Sequence, residues 1–195
     1  MLTGEPRGSR LGDHVDMATP LPDPLRLRWP RRTARTTLRP VTRDDAAALH
    51  AYRRLPQVCA SLSHEPLSLT EVEQRIEGRL TGVDPTPGRQ VRGLAIEHED
   101  RVVGDAMLRT QRGTGGAPEL WIGYALHPDV WGRGLATEVA EELCAVSDEL
   151  GLPVHADAFV DNPASHRVLD KAGLTQVGRS ADAGRQVVLF ARVAG

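Results

Sequence analysis

Two short stretches hold the residues best suited to chemistry. The first, Gly132-Arg133-Gly134-Leu135-Ala136, lies between a strand pattern and a helix pattern. Glycine there lets the chain turn tightly and brings a ligand against backbone amides with no Cβ in the way. The first N–H groups of the following helix lack intrahelical acceptors and sit at the positive end of its macrodipole, so the loop suits a phosphate. Arg133 adds a permanent positive charge. The loop is not a P-loop, because no Gly-Lys-Ser/Thr ending follows, and it lacks the third glycine of Gly-x-Gly-x-x-Gly. A turn selected only for its geometry is the competing reading. The second stretch, Asp161-Asn162-Pro163-Ala164-Ser165, also opens a helix. Asp, Asn and Ser are favoured caps and proline suits a first turn, so capping alone accounts for it. No metal is expected, since His127, His155 and His166 form no His-x-x-x-His pair, and Cys59 and Cys144 match neither zinc-ligand nor disulfide spacing.

The elements that must position these stretches follow from periodicity. Residues 36–41 read as a strand, and Thr42 to Asp45 as the cap of an alanine-rich helix reaching Leu55. Thr70 and Glu73 have capping-box spacing and predict a helix to about Leu80. Residues 91–97 and 101–108 form a hairpin about His98-Glu99-Asp100, and 119–126 a third strand of the same meander. Leu135, Val139, Leu143, Val146 and Leu150 mark a long helix stopped by Gly151. A strand at 153–160, a helix at 163–171 and a last strand at 186–193 complete an α/β order whose antiparallel meander leads into a crossover helix.

Composition narrows the class. With 195 residues, 40% hydrophobic and 26% charged, the chain has one ordinary domain and a tail. A formal net charge of −2 argues against nucleic-acid binding through bulk positive charge. No apolar run approaches the roughly 18 residues of a membrane span, and the polar first ten residues do not read as a secretory leader, so a cytoplasmic protein is expected. Residues 1–32 carry five prolines, six arginines and four acids without an apolar period, and are expected to be a disordered leader before a domain at 33–195.

Taken together, Trp121 to Pro128, Trp131 to Glu138 and Asn162 to Leu174 resemble the GNAT superfamily of acyl-CoA-dependent N-acetyltransferases, in particular the branch of ribosomal-protein alanine N-acetyltransferases. The resemblance covers about 33–193 and implies a mixed sheet with an antiparallel N-terminal meander, a crossover helix and splayed central strands. It implies that acetyl-CoA is the co-substrate, with Leu126, Arg133, Gly134, Leu135, Ala136 and Thr137 around the pyrophosphate and pantetheine and Asn162 bonded to the pantetheine region. The pantetheine arm would lie along 123–126 like an added strand. Many members protonate the departing thiolate with a tyrosine seven residues after the asparagine; here Leu169 stands there, and Ser165 matches the serine proposed in the ribosomal-protein branch. The carboxylate usual two residues before the strand's glycine is replaced by Trp121, which leaves Glu119, two residues back on the same strand face, to act as base through water.

The implied reaction is acetyl transfer to a primary amine on a protein N-terminus, a small molecule or an aminoglycoside-like compound. The acceptor pocket is expected from 43–80 and the loop after Pro85, where Glu65, Glu71 or Glu73 would attract a cation or simply face solvent. An acyl-CoA-binding module without transfer, motivated by Leu169 and Trp121, is the rival reading, and a homodimer through an edge strand is open.

Overall fold

The computed structural model describes residues 20–182 and 184–193. In chain order the elements are β1 (Arg31–Arg32), β2 (Thr37–Pro40), α1 (Ala46–Arg53), α2 (Pro56–Cys59), α3 (Leu69–Thr81), β3 (Arg89–His98), β4 (Arg101–Arg112) and β5 (Pro118–Leu126). There follow α4 (Leu135–Leu150), β6 (Val154–Phe159), α5 (Pro163–Lys171), β7 (Thr175–Asp182) and β8 (Arg185–Arg192). The eight described strands form one sheet in the order β1-β2-β3-β4-β5-β6-β8-β7. Every pairing is antiparallel except β5 with β6, which α4 connects as a crossover. The expected meander, crossover helix and mixed sheet are therefore present. No described helix is long and apolar enough to cross a membrane.

The centre of the sheet comes apart. β3 and β4 pair at ten register positions and β4 and β5 at nine, but β5 and β6 pair only at Leu120↔Val154 and Trp121↔His155. Beyond Trp121 the edges of β5 and β6 face one another without a ladder between them. Strand alternation then sorts the side chains. Leu120, Ile122 and Leu126 join Val139, Leu143 and Val146 of α4 and Leu169 of α5 in one apolar cluster. Ala125 belongs to a second cluster on the other face, with Leu49 and Tyr52 of α1 and Val72 and Ile76 of α3.

The second layer has a charged centre. Asp105 of β4, with a side chain only 1% exposed, accepts from Tyr52 Oη, from Arg53 Nη2 at 2.7 Å and from Arg79 Nη1. Burial alone would raise its pKa. The charges of Arg53 and Arg79 and the tyrosine hydrogen bond outweigh that and hold it well below the usual carboxylate range. Gly93 makes room for Arg79, because a Cβ there would stand 2.6 Å from Arg79 Cδ and 3.0 Å from Val41 Cγ1.

The structure differs from the sequence reading in four places. Ser68, not Thr70, caps α3: its Oγ accepts from Glu71 N, and Glu71 Oε2 accepts from Ser68 N at 2.8 Å. Both serve the S/T-x-x-E rule, but the Ser68 start alone puts two apolar residues, buried Leu67 and Val72, in staple positions around the cap. Pro56, which cannot continue a helix, separates α2 from the α1 segment expected to run to Leu55. β7 was not expected; all its residues are exposed, so it carries no apolar alternation to detect. Residues 1–19 of the expected leader lie outside the described residues. Its remainder is anchored, with Asp23 paired to Arg92 at 2.7 Å, Arg31 paired to Glu142 and Glu149, and Leu25, Leu27 and Trp29 packed on the core. Those contacts place the start of the ordered domain before residue 33.

Replacing Asp105 by Asn leaves two buried guanidinium groups without their shared anion. Asp105→Asn is expected to cost about 3–5 kcal/mol in urea denaturation at pH 7. Because the folded pKa is depressed, the wild-type advantage is present above the unfolded carboxylate's pKa of about 3.9 and is lost as pH falls below it toward the folded value. An unchanged midpoint at pH 7 contradicts the assignment.

Candidate active site

Two cavities open where the sheet parts. One, of about 440 Å³, runs from the end of β5 past the glycine loop to α5 and is lined by Leu126, Trp131, Gly132, Gly134, Leu135, Ala136 and Thr137. The other, of about 490 Å³, lies on the α1–α3 face of the sheet, over Asp105, Met107, Arg109 and Gln111 of β4. They share Ser61, Leu62, Tyr124, Asn162 and Ser165.

The first cavity has the character of a phosphate site at its loop end. Gly132 has φ +72° and Gly134 φ +80°, a left-handed geometry that side-chain-bearing residues adopt only with strain. Gly134 caps α4, and its carbonyl accepts from Thr137 N at 3.1 Å. The amides of Gly132 to Ala136 meet no acceptor among the described residues, as expected of a helix start awaiting an anion. Arg35 braces the loop from outside, donating to Arg133 O at 2.8 Å and pairing with Glu138 at 2.6 Å. Trp131 Nε1 donates to Leu126 O at 2.8 Å and so ties the loop back to the end of β5.

Asn162 caps α5, its Oδ1 accepting from Ser165 N at 3.1 Å while its Nδ2 donates to Ser165 Oγ at 3.0 Å. With that lone pair engaged, the Ser165 hydroxyl proton is free to be donated elsewhere. Beside it lies the Tyr124 hydroxyl, buried without a well-formed hydrogen bond among the described residues. Burial drives its pKa well above the ordinary tyrosine value, and Ser165 moderates the shift.

Six of the seven residues expected around acetyl-CoA, namely Leu126, Gly134, Leu135, Ala136, Thr137 and Asn162, line the 440 Å³ cavity. The side chain of Arg133 does not; it turns toward Glu99, 3.6 Å away. Ser165 stands at the junction of both cavities. Glu119 is not brought to it. Its Oε1 accepts from Trp121 Nε1 at 2.7 Å and Gln111 Nε2 at 2.8 Å, and its Oε2 is 3.5 Å from His155 Nε2. The cause is position: Glu119 sits at the paired end of β5 and β6, where it holds the stack of Trp121 on His155, and it lines neither cavity. His127 and His166 line neither cavity, and Glu65, Glu71 and Glu73 are likewise absent from both linings.

Three features escaped the sequence reading. Arg167 and Lys171, four residues apart on α5, line the first cavity; their spacing was the available signal. Tyr124 was hidden in an apolar strand pattern. Asp157 of β6 reaches the second cavity because β6, carried on from Trp121↔His155, places it across the gap from Gly123. Its side chain is open to the cavity, and the protein surrounding it and the charge of Asp182 raise its pKa, while Arg109 opposes the shift. Among the described residues, no group of three His, Cys, Asp or Glu side chains is placed to hold a metal ion.

The fold recurs in known proteins. Solved structures of similar fold include an acetyltransferase of the GNAT family from Bacillus anthracis, with TM-score 0.70 at 17% identity over 83% of this chain and 96% of that one. They also include RimL, a ribosomal L7/L12 alpha-N-protein acetyltransferase in complex with coenzyme A, with TM-score 0.66 at 19% identity over 83% and 96%. The aminoglycoside acetyltransferase AAC(6')-Ib in complex with coenzyme A gives TM-score 0.66 at 16% identity over 81% and 94%. No curated protein matches the chain by sequence. The family model for the acetyltransferase (GNAT) domain matches residues 35–175. That match runs from the residues before β2 to the start of β7, well over half of the chain, which therefore belongs to the GNAT acetyltransferase family.

Proposed function

We propose that the chain transfers the acetyl group of acetyl-CoA to a primary amine held in the 490 Å³ cavity. One observation carries the reading: the cavity lined by the glycine loop and the cavity lined by Asp157 meet at Ser165, Asn162 and Tyr124. A donor lying in the first and an acceptor in the second would bring thioester and amine together at that junction, and approximation of two bound reactants is itself a large part of such catalysis.

The residues present suit the donor. Unpaired amides of Gly132 to Ala136 would take the pyrophosphate, Arg167 and Lys171 would add positive charge, and the open edge of β5 would pair with the pantetheine amides as an added strand. When bound, acetyl-CoA supplies an activated thioester carbonyl, whose carbon the amine nitrogen attacks as the C–S bond breaks.

The chain's own groups handle the proton. An amine arrives protonated and must lose that proton before it can attack. Of the carboxylates lining the acceptor cavity, Asp105 is locked between Arg53 and Arg79, and Asp182 lies on the exposed edge strand β7. Asp157 borders the gap itself and takes the role of base; its raised pKa makes it a better proton acceptor than an ordinary carboxylate. Ser165, polarised by Asn162, donates its hydroxyl proton to the departing sulfur and regains one from the attacking nitrogen; of the two protons the ammonium loses, the first passes through Asp157 to solvent and the second ends on sulfur. The Tyr124 phenol is a poor net acid, because its anion would be buried without compensation; it shapes the junction and orients Ser165.

Two substitutions test these roles in steady-state transfer assays. Ser165→Ala keeps the backbone amide that Asn162 caps, so the fold should survive; kcat is expected to fall about 100-fold with little change in acetyl-CoA affinity. Unchanged turnover would leave Ser165 as part of a helix cap only. With an acceptor of ordinary α-amino pKa, about 8, Asp157→Asn should lose most activity near pH 7 and recover toward wild type at pH 9, where that amine is deprotonated without help. A loss equal at both pH values contradicts a base role. Tight acetyl-CoA binding with no transfer to any amine would instead favour the binding-module reading.

A further inference from the structure

The acceptor cavity has an uneven charge. It is lined by five arginines (53, 75, 79, 89 and 109) against three aspartates (105, 157 and 182). Asp105 is consumed by Arg53 and Arg79. The other three arginines have no carboxylate within ion-pairing distance among the described residues, as is true elsewhere only of solvent-exposed arginines such as Arg54, Arg101 and Arg179; here the unpaired guanidinium groups line one cavity. Arg89 reaches only Thr86 Oγ1 at 3.4 Å. Arg109 lies over the Trp121 ring at 5.1 Å, and its Nε is buried with no acceptor. A guanidinium lining a cavity without a carboxylate of its own suits the oxyanion of an entering carboxylate or phosphate.

The three come from different elements: Arg75 from α3, Arg89 from β3 and Arg109 from β4. Asp157 and Asp182 face the cavity from β6 and β7. The remaining titratable groups of the lining are His64, engaged by Arg53 Nη1 at 2.8 Å, and the buried Tyr124 at the junction of the two cavities. The cavity is therefore bipolar, with cations on the β3–β4 and α3 side and carboxylates on the β6–β7 side. Its volume of about 490 Å³ is that of a small-molecule site.

We infer that the acceptor is a small zwitterionic amine, with a carboxylate or phosphate that Arg75, Arg89 and Arg109 receive while the amine lies toward Asp157. The inference rests on the transferase reading of the site. It sets this cavity apart from one built for a polycation, because each further ammonium group would face an unpaired guanidinium.

The test is calorimetric titration of the CoA-loaded full chain, which reads binding independently of turnover. Phosphoethanolamine is compared with ethanolamine, and β-alanine with β-alaninamide; spermidine and an aminoglycoside serve as polycations, and a neutral peptide N-terminus as a macromolecular acceptor. At least one anion-bearing amine is expected to bind tenfold or more tighter than its counterpart lacking the anion and than either polycation, the two pairs separating phosphate from carboxylate. Arg75→Glu, on the exposed side of α3, should abolish that preference or reverse it toward the polycations, and Arg109→Gln should abolish it. Equal or tighter binding of the amines lacking the anion, the polycations or the peptide overturns the inference, as does absence of binding by every anion-bearing amine at millimolar concentration. Selective binding without acetyl transfer would leave the inference standing and count against the transferase reading.

Discussion

The parting of β5 from β6 is the constraint on which the rest depends. Two paired positions, Leu120↔Val154 and Trp121↔His155, hold the strands together, and past them each strand is secured only on its outer side. β5 keeps its ladder to β4 as far as Gly104↔Leu126, and β6 keeps its ladder to β8 as far as Phe159↔Val187. The sheet thus stays continuous through its neighbours while two inner edges lie open toward each other. Backbone polar groups rarely go without partners in a folded protein, so an open inner edge invites a peptide-like ligand. The same gap lets the two faces of the sheet communicate: α4 and the glycine loop lie on one side, α1 and α3 on the other, and Tyr124 and Ser165 stand between them.

Charge is used differently on the two sides. On the loop side it is mostly backbone, with glycine turns and a helix start presenting amides and Arg35 and Glu138 bracing the loop from outside. On the acceptor side it is side chain, and Asp105 organises it. Drawing Arg53 and Arg79 to one buried carboxylate fixes α1 and α3 against β4, and it leaves Arg75, Arg89 and Arg109 lining the cavity without an ion-pair partner among the described residues. A feature of the core therefore also sets the charge offered to the acceptor.

The cavity at the glycine loop was legible in the sequence because its residues are local. Gly134 and Asn162 each act within a few residues of their own position, at a strand end opening a helix, so turn and cap rules reach them. The acceptor side was not, because its residues come from α3, β3, β4, β6 and β7 and meet only once the register is known. Arg75 and Arg109 are far apart in the chain, and neither sits in a motif. Glu119 illustrates the same limit: strand alternation put it on the correct face, but only the pairing of β5 with β6 shows that it lies at the closed end, occupied by Trp121 and His155. β7 was missed for a related reason, since an exposed edge strand bears no apolar period, and the Ser68 start of α3 was readable only by weighing Leu67 and Val72 with the cap.

Amide hydrogen exchange of the full chain with and without acetyl-CoA tests the central claim most directly. If the open edge of β5 and the glycine loop receive the donor, new protection should concentrate at residues 123–126 and 132–136, while β3 and β7 keep their free-state rates. Binding of acetyl-CoA that protects neither segment would contradict the account, since the parted strands would then be an accident of the fold and not the site around which it is built.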